Sequence, residues 1–302
     1  MILQKITFCR SFILLAQLDK LLNMTTKEFM RNRIKSIRQL LLGRGINISR
    51  AVSDEKLTYF FELINPIGTD KPLVRLGDKA DGGYLLPFDL DGIDACFSPG
   101  VSLEASFELN LAVYGIKSYL ADYSVDSSPI QNNLFDFEKK YLGVHNDKTY
   151  MTLESWVINK EPKGGDFILQ MDIEGAEYAV IYQTPIDLLK KFRIIVIEFH
   201  SLDMIFCDGG YDLLFLTFKK LLDHFEIVHM HPNNCVEPIS NGRFDVPPVM
   251  EFTFLRKDRV HSRHPINDFP HALDVQNFPQ KQDITLPKCW RNKELVIDKL
   301  PT

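Results

Sequence analysis

"LQMDIEGAEYAVI" (residues 169–181) is an apolar run that stops at Asp172, turns through Glu174 and Gly175, and resumes as an apolar helix. A buried strand feeding a helix through a tight turn is the building unit of a parallel α/β sheet. Such sheets bind ligands beyond the carboxyl ends of their strands, which is where Asp172 falls. Three acids around one strand end are costly beside a core unless they bind something or cap a helix. Glu177 fits the plain role of a helix-start charge, and Asp172 is the candidate for binding.

The same alternation extends in both directions. Apolar runs that read as strands are "DACFSP" (94–99), "KSYLAD" (117–122), "TYMTL" (149–153), "FILQMD" (167–172), "RIIVIEFH" (193–200), "FEIVHMH" (225–231) and "VMEFTFLR" (249–256). Between them, helical patterns are expected over 103–114, 133–141, 176–182 and 213–222. Seven strands with helical crossovers predict an α/β, doubly wound, mostly parallel Rossmann-like sheet. Upstream, Met30, Ile34, Ile37 and Leu41 form a helical stripe over 27–42 that Gly43 ends. A second helix is expected over 54–64, capped by Ser53, with Leu57, Phe60, Phe61 and Ile64 inward. The domain reading is a helical extension over 1–65, the sheet domain over 66–258, and an irregular segment over 259–302 that wraps the domain without a core of its own.

Composition narrows the function classes. A chain of 302 residues, 45% of them hydrophobic, buries a full core. Residues 1–50 carry ten Lys/Arg against two Asp/Glu (+8), leaving 25 against 38 (−13) in the rest. A nucleic-acid surface on the main domain is therefore not expected. Five widely spaced cysteines with no C-x-x-C pair indicate neither a disulfide framework nor a zinc knuckle, and fit a cytoplasmic setting. The apolar patch 12–16 is too short for a membrane span and lacks a cleavage site. Leu14, Leu18, Leu21 and Leu22 suit an amphipathic helix instead, docking on the domain, a partner or an anionic membrane surface, and Met24 is a second candidate start.

The strand ends carry the chemistry. Ser98-Pro99-Gly100-Val101-Ser102 is a small-residue turn that lets backbone approach a nucleotide-like ligand, ahead of a helix holding Glu104 and Glu108. About twenty residues on, Asp122 ends the next strand, where an acid can bond the ribose hydroxyls of an adenosyl ligand. The G-x-G-x-x-G fingerprint of dehydrogenases is absent. Glu198 and His200 share one strand face, His229 and His231 another, with Asn233-Asn234 following; Glu251 opens a strand that returns to the same edge if antiparallel. Asp172, Glu198, His200, His229, His231, Asn233 and Glu251 are thus expected around one cleft. This mix of carboxylate and imidazole suits a divalent ion such as Mg or Mn, although no compact ligand motif fixes one. Asp89-Leu90-Asp91 has the D-x-D spacing of metal-dependent sugar-nucleotide glycosyltransferases, but lies in a turn-rich loop; a non-catalytic scaffold that kept the fold is the other alternative.

Read in order, "GDKADGGYLLP" (77–87), "FSPGVSLEASFE" (97–108), "YLADYSVD" (119–126), "TLESW" (152–156), "LQMDIEGAEYAVI", "VIEFH" (196–200), "HMHPNN" (229–234) and "PVMEFTFLR" (248–256) resemble the FkbM-type methyltransferases. The resemblance implies a class I methyltransferase sheet, S-adenosylmethionine as cofactor, and O-methylation of a small-molecule or glycan acceptor such as a sugar, polyketide or other secondary metabolite. It implies that Ser98 and Gly100 border the methionine moiety and Asp122 the ribose. Asp172 would stand at the methyl end, and Asp81, Gly82, Gly83 and Tyr84 would form a loop at the pocket mouth. Pro99 stiffens the turn where several relatives have more glycines. On this reading His200 or His229 is the general base, with Asp172 and Glu198 orienting it or jointly holding a metal.

Overall fold

The computed structural model describes residues 26–46, 49–160, 162, 164–266 and 268–291. The leucine-rich patch before Met24 lies outside them. The chain forms two compact units, Met1–Arg50 and Ala51–Thr302. In the first, α1 (Thr26–Leu42) follows the expected stripe, and Met30, Ile34 and Ile37 are exposed along it. Among the described residues no helix is long and apolar enough to cross a membrane.

The second unit is built on one seven-stranded sheet. Its strands are β1 (Ile93–Pro99), β2 (Lys117–Ala121), β3 (Phe135–Glu138), β4 (Asp166–Met171), β5 (Phe192–Phe199), β6 (Phe225–Pro232) and β7 (Met250–Arg256). They lie in the order β6-β7-β5-β4-β1-β2-β3, parallel except for β7, which is antiparallel to both neighbours. The helices are α2 (Asp54–Leu63), α3 (Ser106–Val113), α4 (Leu153–Lys160), α5 (Glu177–Gln183), α6 (Ile186–Leu189) and α7 (Asp208–Leu222). Because side chains alternate along a strand, the central strands feed two cores. Phe97, Leu169, Ile197 and Phe252 join Leu57, Phe60 and Phe61 of α2, Trp156 of α4 and Phe218 of α7. Cys96, Ile168, Val196 and Leu255 face the other way, onto Phe107 and Leu111 of α3 and onto Leu86 of the hairpin Leu73–Leu76/Tyr84–Pro87. The chain leaves β1 and β4 in opposite directions, which makes the gap between their carboxyl ends the switch point of the sheet.

Several expectations are corrected here. Residues 133–141, read as helix, hold β3. Phe135 and Phe137 alternate with Asp136 and Glu138, a period of two, and pack with Val101 and Leu120 while the acids meet Lys160. "TYMTL" is not a strand of the sheet. Only Tyr150–Met151 pairs, with Tyr141–Leu142, after which Thr152 accepts the Ser155 amide and α4 begins. Strand count is preserved because one error replaces the other. Helix α2, placed in the N-terminal extension, belongs to the sheet unit through Leu57, Phe60 and Phe61, which are buried in its core. The segment after 259 also goes deeper than a surface wrap. Leu286 and Trp290 enter the larger core, and the indole N–H donates to the Asp245 carbonyl at 3.0 Å.

Trp290 is fully buried, edge-on to Phe61 at a 4.9 Å ring separation. Trp290→Ala is expected to cost about 3–5 kcal/mol in denaturant titration. A loss below about 1 kcal/mol would show that the C-terminal segment does not close the core.

Candidate functional site

At the switch point, β1 ends at Pro99 and Gly100 takes φ +91°, a conformation open to glycine. A Cβ at Gly100 would run into the Asp172 carbonyl, so the β1 turn and the β4 end touch backbone to backbone. Gly100 N donates to Ala121 O at 2.8 Å and Asp172 N to Pro99 O at 3.3 Å, which ties β1, β2 and β4 together. Asp122 accepts from Ser102 N at 2.8 Å, and from Ser124 N and Oγ at 2.7 Å each. It thereby fixes the loop that follows Gly100.

Between this turn, α3 and the hairpin lies a cavity of about 360 Å³. Gly100, Ser102, Tyr84, Gln170 and four acids, Asp81, Glu104, Glu108 and Asp172, are among its walls. Among the described residues no lysine, arginine or histidine lines it. Of the loop Asp81-Gly82-Gly83, the first two residues face the cavity, and Gly83 packs against Arg75 and the Asp78 carbonyl. Ser98 is placed differently from its expected border position. It is fully buried beneath the cavity, with its hydroxyl between Glu108 and Gln170 Oε1, the latter at 2.5 Å. Burial raises the Glu108 carboxyl to about 7 despite that hydrogen bond.

Asp172 also opens a second cluster. His200 Nε2 lies 3.4 Å from Glu174, 3.7 Å from Glu198 and 3.8 Å from Asp172, while Nδ1 meets Glu177 at 3.1 Å. Burial, then the Glu198 charge, raises the Asp172 carboxyl to about 9. Burial alone would lower His200; the Glu177 bond and the surrounding carboxylates outweigh it and raise the imidazole to about 9. Burial also raises Glu198, against an Asn233 amide bond of 2.7 Å. Asp172 Oδ1 is buried without a hydrogen-bond partner. Asp172, Glu174 and His200 each offer a donor atom within 4.8 Å of the others, the one such group among the described residues that could hold a metal ion.

His229 and His231 stand apart from this cluster. His229 Nε2 donates to Asp274 Oδ1 at 2.8 Å, and His231 Nδ1 lies 3.5 Å from Asp274 Oδ2. Burial lowers His229, so it serves as a neutral donor; for His231, Asp274 and Glu251 outweigh burial and raise it. Asp274 is held well below the usual carboxylate range because the two imidazoles outweigh its burial. Glu251 is cross-strand neighbour to both Glu198 and His231, and its burial raises it to about 8. The antiparallel return expected of its strand is present. The acids Glu198 and Glu251 and the imidazole of His231 thus line up on the face away from the larger core.

Sequence reading missed three contributors. Asp274 and Asn277 come from a segment whose weak periodicity gives no signal. Glu177, assigned to the helix start, is fully buried, and its Oε1 accepts from Ile173 N, Gly175 N and His200. The signal available for it was an acid two residues past the glycine of a strand-to-helix turn. Asp89, by contrast, is committed elsewhere. Two 2.8 Å bonds from Arg259, with Arg193 and Lys71 nearby, occupy its carboxylate near the amino edge of the sheet. Glu177→Gln removes the charge that favours the imidazolium, so the His200 pKa is expected to fall from about 9 towards the ordinary value. An NMR titration checks this; wild-type His200 titrating near ~6.5 would overturn it.

Residues 107–226, about two-fifths of the chain, match the profile of the Methyltransferase FkbM domain. The match runs from α3 into β6, taking in Asp122, Asp172, Glu198 and His200. No curated protein matches the chain. Over those residues the chain is similar to the Methyltransferase FkbM domain, and the seven-stranded, mostly parallel sheet agrees with the α/β Rossmann-like fold of such a domain.

Proposed function

We propose that the protein transfers a methyl group from S-adenosylmethionine to a hydroxyl oxygen of a sugar, polysaccharide or secondary-metabolite acceptor. The observation that carries the reading is the acid-lined cavity at the switch point, free of cationic lining residues among those described. Such a wall favours a ligand with a sulfonium and an ammonium group and repels one built on a diphosphate. It thereby disfavours nicotinamide dinucleotides and nucleotide sugars, and the occupied carboxylate of Asp89 weighs further against a glycosyltransferase.

The residues present fit this cofactor. Gly100 leaves the backbone bare where a ligand must approach closely, and Asp122, buried behind the cavity wall, holds the Ser102 and Ser124 amides and so shapes the loop that borders it. When bound, the cofactor supplies an electrophilic methyl carbon. The chain's task is to align the acceptor and take up its proton. Asp172 Oδ1, buried and without a hydrogen bond of its own, accepts the hydroxyl hydrogen bond. His200 Nε2, 3.8 Å away, shares the proton, while Glu177 and the Tyr178 hydroxyl, bonded to the His200 carbonyl at 2.7 Å, hold the imidazole in place. His229, tied to Asp274, is the weaker of the two base candidates. A divalent ion would fall to Asp172, Glu174 and His200, and would acidify the same hydroxyl.

Calorimetric titration should detect S-adenosylmethionine and neither NAD nor a UDP-sugar; a stable complex with a UDP-sugar alone would end this reading. Asp172→Asn should lower turnover on a neutral glycan acceptor by about 10²–10⁴-fold. A base works only when unprotonated, and both members of the Asp172–His200 pair are raised to about 9. The rate should therefore climb with pH up to about 9 and level off above it. A profile flat from about pH 6 to 8 would remove the pair from catalysis. Loss of turnover with a chelator, restored by Mg or Mn, would assign the ion.

A further inference from the structure

We infer that Asn277, carried in by the C-terminal segment, is a positioning residue that pins the mouth of the cofactor cavity to the sheet. Its Nδ2 donates to Glu251 Oε1 at 2.7 Å and to Asp81 Oδ1 at 3.2 Å. The first partner is a strand residue of β7, beside Glu198 and His231; the second lines the cavity. One buried amide therefore spans two carboxyl groups that belong to different walls of the site. It is the only hydrogen bond to the Asp81 carboxylate among the described residues.

The segment is built to hold that amide still. Asp274, three residues earlier, is fastened to His229 and His231. Phe278, one residue later, forms a two-way pair with Asn234, its N–H donating at 2.8 Å and its carbonyl accepting at 2.9 Å. Asn277 is only 3% exposed, so its position is set by packing and bonds rather than by solvent. An amide suits this place better than a cation. It bridges two acids without adding charge, which leaves the acid-lined wall without a cation, whereas an alanine would leave both carboxyls short of a donor. Arg75 already holds the other side of the same loop, donating to the carbonyls of Asp78 and Ala80 at 3.0 and 2.9 Å. Asn277 completes the grip at the side that faces the ligand.

This inference rests on S-adenosylmethionine being the ligand, and its test separates the two. With the full-length protein, the Asn277→Ala and Asn277→Asp variants are titrated with S-adenosylmethionine, and hydrogen exchange is followed across residues 78–83. Both variants should bind about tenfold more weakly at pH 7.5, about 1.4 kcal/mol. Amides of 78–83 should exchange faster while those of β1 and β4 keep their protection. Asn277→Asp sets a third carboxyl between Asp81 and Glu251, with Glu198, His231 and Arg75 as the nearest other charges. It should recover part of the wild-type affinity near pH 5.5, where a protonated acid can donate one of the two bonds again, and the alanine variant should not. A merely structural residue would lower the melting temperature without this pH-dependent recovery. If the wild type itself fails to bind S-adenosylmethionine, the cofactor reading falls, and the exchange pattern alone decides the role of Asn277. Unchanged exchange at 78–83 in both variants, or wild-type affinity in both, overturns the inference. Asn277→Asp, equal in size, carries the test should the alanine variant not fold.

Discussion

Everything at the carboxyl edge depends on the backbone contact between Gly100 and Asp172. Two strands that send their crossovers in opposite directions must part at the switch point, and a side chain on either would hold them further apart there. Gly100, at positive φ and with no room for a Cβ, brings the turn after β1 against the carbonyl of Asp172. The same contact sets the floor of the cavity and starts the acid–imidazole cluster. The turn and Asp172 therefore share one cavity wall.

The second organising feature is the cost of burying acids. Asp172, just past the end of β4, Glu198 on β5 and Glu251 on β7 have few cations near them, and each is raised towards neutrality, by burial first. Such groups are expensive in a structure built only for stability. Amides meet part of the cost: Asn233 serves Glu198 and Asn277 serves Glu251. His200 is set beside Asp172 and Glu198, and His231 lies across from Glu251. The histidines of β6 solve a separate problem, since they anchor the returning C-terminal segment through Asp274.

The fold was largely legible because the buried strands are strongly apolar and bounded by turn residues, as in "RIIVIEFH" and "FILQMD". It failed where the signal was short and two-sided. Phe135 to Glu138 alternates perfectly, but over four residues an edge strand and a helical turn read alike, and only pairing with β2 decides between them. Of the candidate site, what the sequence made legible is position: Gly100, Asp172, Glu198 and His200 each end a strand or its turn, and the structure brings the last three together. It was not legible at Asn277 and Asp274, because nothing local marks a residue whose partners lie 26 to 196 positions away. Ser98 shows the opposite failure: its neighbours in the chain point to a ligand, while its own side chain faces the interior.

The reversed direction of β7 has an evolutionary corollary. Its Glu251 and Thr253 face the hairpin while Phe252 and Phe254 face the larger core, so a slip of one residue would exchange an acid at the rim for a phenyl ring. Mutational drift in the loop between β6 and β7 is thus free to change length only if this alignment survives. Diversification of what the rim recognises would then proceed by rewriting loops around a strand whose phase is locked.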